Sequence, residues 1–167
     1  MNVISDPSAL THWVRPMSLH SPLAPFEGEN PPLTIGAFSS DGRYVRSDTG
    51  SIWLDGSAGA IHAFMLSAEG DLHGTLTYRA LLAGGERTEW IRTGLTTNAS
   101  SSAPPLTGFA VQLSETLYRR YALVVIGAFR GEAGLRIARA GEDCVTESGN
   151  LPLCGMQIIL RPLAGNA

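Results

Sequence analysis

The sequence predicts a single all-β domain with internal pseudo-threefold symmetry. Residues 74–113 align without a gap on residues 121–160, at an offset of 47 residues. A fixed period of this kind is typical of repeat architectures. Both copies consist of short apolar and β-branched runs bounded by Gly, Pro, Asn and Ser, which is the pattern of strands and turns. We expect a β-prism of three small sheets, with a β-trefoil as the alternative.

Each of the two aligned copies is predicted to contain three strands. The first strands cover residues 75–83 and 122–130, the second 89–93 and 136–140, and the closing strands 106–114 and 153–161. In the closing strands, apolar side chains alternate, which places them on one face of a sheet. The residues on these faces are Phe109, Val111 and Leu113 in one copy and Met156, Ile158 and Leu160 in the other.

A third, shorter copy is predicted upstream of these two. Residues 61–66 match the closing strands, residues 33–39 would form the first strand, and residues 51–55, with Trp53, the second. Gly56 would take the role of Gly94 and Gly141. The domain would therefore span residues 33–163, divided into repeats at 33–70, 71–117 and 118–163, because one such unit cannot bury its apolar face alone.

Residues 1–32 lie outside the repeats, and we call them the arm. Six prolines fall within the arm, and proline is excluded from central strands and helix interiors. The arm is predicted to be extended. It would either wrap around its own domain or dock on a neighbouring subunit of a homo-oligomer or larger protein assembly.

Composition narrows the classes of partner and location. The net charge is −3, every basic residue is Arg, and no basic stripe occurs, so nucleic acid is not expected as a partner. No apolar run approaches the roughly 20 residues that a membrane helix needs, so membrane insertion is not expected either. The N-terminus does not resemble a secretory signal peptide. We therefore expect a protein that is cytoplasmic or released with a particle, and cell-surface association stays open.

The sequence contains no recognisable catalytic constellation. The four histidines are scattered, and no nucleophile elbow, metalloprotease helix or phosphate-binding glycine loop occurs. The absence of Lys excludes a Schiff-base mechanism. We expect a protein that is not an enzyme and that has no catalytic residue, cofactor or metal site.

Cys144 and Cys154 flank a short loop that leads into the last closing strand. A disulfide between them would close this loop on itself, and two free, partly buried thiols are the alternative. Two cysteines at this spacing without a paired histidine do not form a zinc site.

The candidate ligand-binding residues lie in the second strands and in the long polar loops. Trp53 and Trp90 are predicted to occupy equivalent positions, either in a core layer or as flat platforms for a sugar ring. Loops on a rigid scaffold often carry function, although they can also be solvated connections. The complete set of candidates is Trp53, Asp55, Trp90, Arg92, Asn98 and Asp143.

Residues 74–113 contain, in order, Tyr78, the Gly84–Gly85 turn, Trp90 and the closing segment 106–113. This order resembles the clostridial hydrophobic-W repeat, and residues 121–160 resemble it less closely. The sequence departs from the family at Glu86, where the family has Trp, and no Trp occurs in the copy at residues 121–160. The resemblance implies a surface-associated, non-catalytic module involved in cell-wall, glycan or protein adhesion.

Two functions follow as expectations. The first is a lectin-like binding module that recognises carbohydrate or cell-surface polysaccharide. The second is a structural subunit of a phage-like or tail-like particle, such as a spike, fibre or decoration protein, which docks through its arm.

Overall fold

The computed structural model describes residues 31–55, 59–97 and 103–164. Within these ranges the chain forms three antiparallel sheets and one short α-helix, so the expected all-β class is confirmed. The first sheet has the order β2-β1-β4, with β1 Leu33–Ser39, β2 Tyr44–Ser47 and β4 Ile61–Ala68. The second has the order β10-β7-β5-β6, with β5 Leu76–Leu81, β6 Ile91–Arg92, β7 Gly108–Leu113 and β10 Cys144–Val145. The third has the order β3-β11-β8-β9, with β3 Ser51–Trp53, β8 Tyr121–Phe129, β9 Leu135–Arg139 and β11 Leu153–Pro162.

The helix α1, Glu115–Tyr118, connects the second sheet to the third. Its N-terminus is capped by Ser114, whose side chain accepts a hydrogen bond from the backbone N–H of Leu117. Such a cap satisfies a donor that the first helical turn leaves free. The short helix therefore turns the chain from β7 into β8.

The strand register follows the 47-residue offset of the sequence. Leu76 faces Leu113 in the second sheet, and Leu123 faces Leu160 in the third. The second strands keep the same relation, because Arg92 faces Thr77 and Arg139 faces Val124. In the first sheet Arg46 faces Gly36 in the corresponding place. The three arginines Arg46, Arg92 and Arg139 are therefore structural equivalents.

Side chains from all three sheets meet in one hydrophobic core. Its largest members include Phe64 on β4, Tyr78 on β5 and Phe109 on β7, which are all fully buried. The ring of Phe64 lies 5.3 Å from that of Tyr78 and 5.9 Å from that of Phe109, measured between centroids. The Tyr78 hydroxyl accepts a hydrogen bond from the N–H of Leu66 at 3.1 Å and donates one to the carbonyl of Leu95. The core thus connects the first sheet to the second through packing and through a satisfied buried hydroxyl.

Each sheet receives a short segment from a hairpin that belongs to another sheet. After β2, the chain enters the third sheet as β3, which pairs with β11. After β9, it enters the second sheet as β10, which pairs with β7. After β6, Thr96 forms an isolated bridge with Met65 on β4 of the first sheet. These three crossings close a ring, so the sheets hold one another in place.

The prediction that residues 51–55 form the second strand of the first sheet is wrong. That position belongs to β2, and Ser51–Trp53 instead pairs with β11. Gly50, with a φ of 71°, lies between β2 and β3, much as Gly94 at 90° follows β6 and Gly141 at 80° lies between β9 and β10, and predicted Gly56 lies outside the described residues. Positive φ favours glycine at each of these turns. The sequence suggested Trp53 as the counterpart of Trp90 because both are tryptophans, whereas the true counterpart on β2 is Tyr44.

Candidate ligand-binding face on the second sheet

The candidate site lies on the outer face of the second sheet, opposite the core. Along β5, Leu76, Tyr78 and Ala80 point inward and are fully buried. The alternate residues, Thr77 and Arg79, therefore point outward, because successive side chains of a strand lie on opposite faces. Arg79 occupies the middle of this outer face.

Arg79 makes contacts on both sides. Its guanidinium carbon lies 4.5 Å from the ring centroid of Trp90, which precedes β6. Its Nη2 donates to Oδ1 of Asp143, next to β10, at 2.8 Å. Arg79 is paired in register with Ala110 on the intervening strand β7, and Ala110 is fully buried. The small alanine leaves room for the arginine side chain to reach Asp143.

Asp143 joins two arginines. Its second carboxylate oxygen accepts hydrogen bonds from Nη2 of Arg87 at 2.7 Å and from Nε at 2.9 Å. The side chain of Asp143 is only 15% exposed. Burial by itself raises the pKa of Asp143, but the hydrogen bonds from Arg79 and Arg87 and their positive charges lower it by more, so the net pKa lies below the ordinary value. The carboxylate therefore stays ionised at neutral pH.

Trp90 has structural counterparts on the other two sheets. The equivalent residues are Tyr44 on β2 and Ile137 on β9, which follows from the registers of the three sheets. Tyr44 packs against Phe38 with ring centroids 4.9 Å apart, in the place where Trp90 packs against Arg79. The prediction that Trp53 and Trp90 are equivalent is therefore wrong.

The predicted site residues divide into two groups. Trp90, Arg92 and Asp143 all belong to the second sheet or border it, and Trp90 and Arg92 share its outer face. Trp53 and Asp55 lie at the edge of the third sheet. The ring of Trp53 covers Gly155, where an added Cβ would lie 2.2 Å from a ring atom. Asn98 lies outside the described residues.

Sequence reasoning missed Arg79 and Arg87. The positions equivalent to Arg79 are Phe38 and Ile126, so a charged residue interrupts an otherwise apolar position of the repeat. That interruption is a signal that the sequence contains. Arg87 gives no comparable signal, because its contact with Asp143 spans 56 residues.

The disulfide between Cys144 and Cys154 is not formed, and both thiols are free. Cys144 lies in the core beside β7, and its Sγ donates to the carbonyl of Arg136 at 3.4 Å. Cys154 lies on β11 and donates to the carbonyl of Ala128 at 3.4 Å. Cys144 belongs to the second sheet and Cys154 to the third, so each thiol packs against different neighbouring residues.

Burial raises the pKa of the Cys144 thiol to about 12, against an ordinary value of 9.0. Because the thiolate is the reactive species, Cys144 in a Cys154→Ser variant should react roughly a thousandfold more slowly at pH 8 in the folded protein than after unfolding. A thiol-specific chromogenic reagent measures both rates. When wild-type protein is unfolded without reductant, two thiols should react with the reagent. If no thiol reacted, Cys144 and Cys154 would be joined by a disulfide.

Comparisons with protein-family models, curated proteins and solved structures found no match to this chain. The resemblance to the clostridial hydrophobic-W repeat therefore stays a prediction. In the described ranges, no helix is long and apolar enough to cross a membrane. The arm up to residue 30 lies outside the described residues, so the role of a particle subunit also stays a prediction.

Proposed function

We propose that this protein is a non-catalytic carbohydrate-binding module, and that the outer face of the second sheet is its binding site. The observation that carries the proposal is the contact of Arg79 with both Trp90 and Asp143. A sugar ring has an apolar C–H face that packs on an aromatic ring, and hydroxyls that exchange hydrogen bonds with charged side chains. The cluster combines both kinds of group on one face.

The arrangement is preorganised for binding. Arg79 is held by its ion pair and by the Trp90 ring, and Asp143 is held by two guanidinium groups. Side chains that are already ordered lose little entropy when a ligand arrives, which favours affinity. Because Arg79 covers one face of the Trp90 ring, a sugar would stack on the opposite face, and exposed Arg92 would reach its hydroxyls.

We further propose that the three sheets form a β-prism. The exchange of β3, β10 and Thr96 between neighbouring sheets supports this arrangement, because it relates the three sheets in a cycle. The outer positions of the prism differ, with Tyr44, Trp90 and Ile137 in equivalent places. The second sheet would therefore be the principal site.

The proposal predicts that Trp90→Ala lowers affinity for the bound glycan at least tenfold. Truncation of a central aromatic side chain in a binding site typically costs about 2 kcal/mol or more, which corresponds to roughly 30-fold. A glycan array that includes bacterial envelope polysaccharides would identify the sugar, and calorimetry would then measure its affinity for each variant.

Trp53→Ala is the matched control, because it removes the same side chain from the edge of the third sheet. It should fold, as judged by circular dichroism, and keep wild-type affinity. Equal losses in the two variants, or no loss in folded Trp90→Ala, would contradict the assignment of the site.

A further inference from the structure

Tyr44 places an aromatic ring on the outer face of the first sheet. Ile35 and Ala37 on β1 are fully buried in the core, so the alternate residue Phe38 points outward. Tyr44 faces Phe38 in register, and the two rings pack with their centroids 4.9 Å apart. Tyr44 is nevertheless 48% exposed, so part of its ring is accessible to a ligand.

The ring of Tyr44 lies over Gly36 on the neighbouring strand. A Cβ atom at Gly36 would overlap the Tyr44 hydroxyl oxygen and would lie 3.0 Å from two carbons of the ring. Any larger residue at this position would therefore displace the ring. Glycine allows the ring to rest against the outer face of the sheet, which holds it in place for a ligand.

Charged groups lie beside this ring on the same face. Arg46 and Asp48 follow Tyr44 at intervals of two residues along the chain. Oδ1 of Asp48 accepts a hydrogen bond from the Thr34 hydroxyl at 2.8 Å and another from Nε of Arg46 at 3.3 Å. Both charged side chains are mostly exposed, so a ligand that packs on the ring can reach them.

The outer face of the second sheet has the same chemistry at equivalent positions. Tyr44 corresponds to Trp90, and Arg46 corresponds to Arg92, as the registers of the two sheets show. Each face also has a carboxylate that holds an arginine side chain. On the third sheet, the position of Tyr44 is taken by Ile137. The first two faces thus share an aromatic ring, a guanidinium and a carboxylate, whereas the third lacks the ring at this position.

We infer that the outer face of the first sheet is a second carbohydrate-binding site, which takes one uncharged sugar unit on Tyr44. This inference rests on the function proposed for the second sheet. The C–H face of the sugar would pack on the phenol ring, and its hydroxyls would bond to Arg46 and Asp48. An uncharged sugar suits this face because Arg46 and Asp48 balance each other's charge. The first face should bind more weakly than the second, because a phenol ring offers less apolar surface than an indole.

The test is a titration of the isotopically labelled full chain, followed by nuclear magnetic resonance. The probes are the methyl glycosides of glucose, galactose, mannose and N-acetylglucosamine, at millimolar concentrations that suit single sugar units. Backbone amide signals of Gly36 and Arg46 report on the first face, and those of Thr77 and Arg92 report on the second. The two faces are therefore measured separately in one experiment.

At least one of these glycosides should shift the signals of both faces with saturation. Tyr44→Ala should lower affinity at the first face about tenfold and leave affinity at the second face unchanged. Tyr44→Phe should keep most of the affinity, because it keeps the ring. Ile137→Ala is the matched control, since it truncates the equivalent side chain of the third sheet, and it should leave both faces unchanged.

Each other outcome decides between the two sites. Shifts confined to the second face would overturn this inference and leave the proposed function intact, whereas no shift at either face would overturn both. Shifts at the first face that persist in folded Tyr44→Ala would also overturn the inference. Shifts at the first face alone that are lost in Tyr44→Ala would support this site and contradict the assignment of the second sheet.

Discussion

Replacing Phe64 by alanine is expected to lower the free energy of unfolding by about 3–5 kcal/mol, the range observed for removing a buried phenylalanine. Phe64 is fully buried, and its ring packs against both Tyr78 and Phe109. These contacts join the first sheet to the second. Because the exchanged strands hold the sheets in place, the sheets cannot move together to fill the cavity that alanine would leave. Urea denaturation monitored by circular dichroism measures the loss.

Phe38→Ala is the control for this substitution. Phe38 pairs with Ala63 on β4 of the same sheet as Phe64, but it lies on the outer face, only partly buried, against Tyr44. Its removal should cost clearly less than the removal of Phe64. Equal costs would show that the core is not where the three sheets meet.

The second large effect concerns Asp143. Asp143→Ala should cost about 2 kcal/mol at pH 7, because it leaves the Arg79 guanidinium partly buried without its carboxylate. The side chain of Arg79 is 20% exposed, so the loss is smaller than for a fully buried pair. The substitution also removes the contact between Arg79 and Asp143, which are 64 residues apart in sequence.

This contribution should depend on pH in a defined direction. The folded-state pKa of Asp143 is lowered by its arginines, so the stabilisation is complete above the unfolded pKa of about 3.9 and is lost as the pH falls through the folded value. The difference in stability between wild type and Asp143→Ala should therefore shrink when denaturation is repeated in steps from pH 7 to pH 2.

Asp48→Ala provides the matched comparison on the first sheet. Asp48 pairs with Arg46, and both side chains are mostly exposed, at 73% and 63%. Exposed ion pairs typically contribute less than about 1 kcal/mol. If Asp143→Ala cost no more than Asp48→Ala, the Arg79–Asp143 pair would have no special role in holding the site.

The sequence repeat was sufficient to place the long strands. A shift of 47 residues moves Leu76 and Leu113 onto Leu123 and Leu160, and the two pairs are in register in the structure. Alternating apolar residues in the closing strands also identified the inward faces correctly. These features are local or periodic, so a single sequence contains them.

The exchanged segments could not be placed in this way. Ser51–Trp53 pairs with β11 about 100 residues later in the chain, and a strand of three residues contains no pattern that identifies its partner. His62 shows a similar limit. The match of residues 61–66 to the closing strands implies that His62 is equivalent to Phe109 and Met156. In the structure the register shifts between Phe38 and Ser39, so Ile61 joins the core and His62 lies beside Phe38.

The candidate site was predictable only in part. Trp90 was chosen because it was aligned with Trp53, an equivalence that the structure contradicts, and Asp143 was chosen as an acidic residue in a long polar loop. Their partnership depends on Arg79, which extends over Ala110 between them, and that geometry exists only once β10 has paired with β7. Local sequence patterns do not predict contacts that depend on the exchange of strands between sheets.

The most direct test of the proposed site is a titration of isotopically labelled protein with the identified glycan, followed by nuclear magnetic resonance. The chain contains three tryptophans, Trp13, Trp53 and Trp90, so three indole N–H signals can be assigned with single alanine variants. The account predicts that the Trp90 signal shifts with saturation, together with the Arg79 side-chain signal, while those of Trp13 and Trp53 stay in place. Saturable binding that leaves the Trp90 signal unmoved would contradict it.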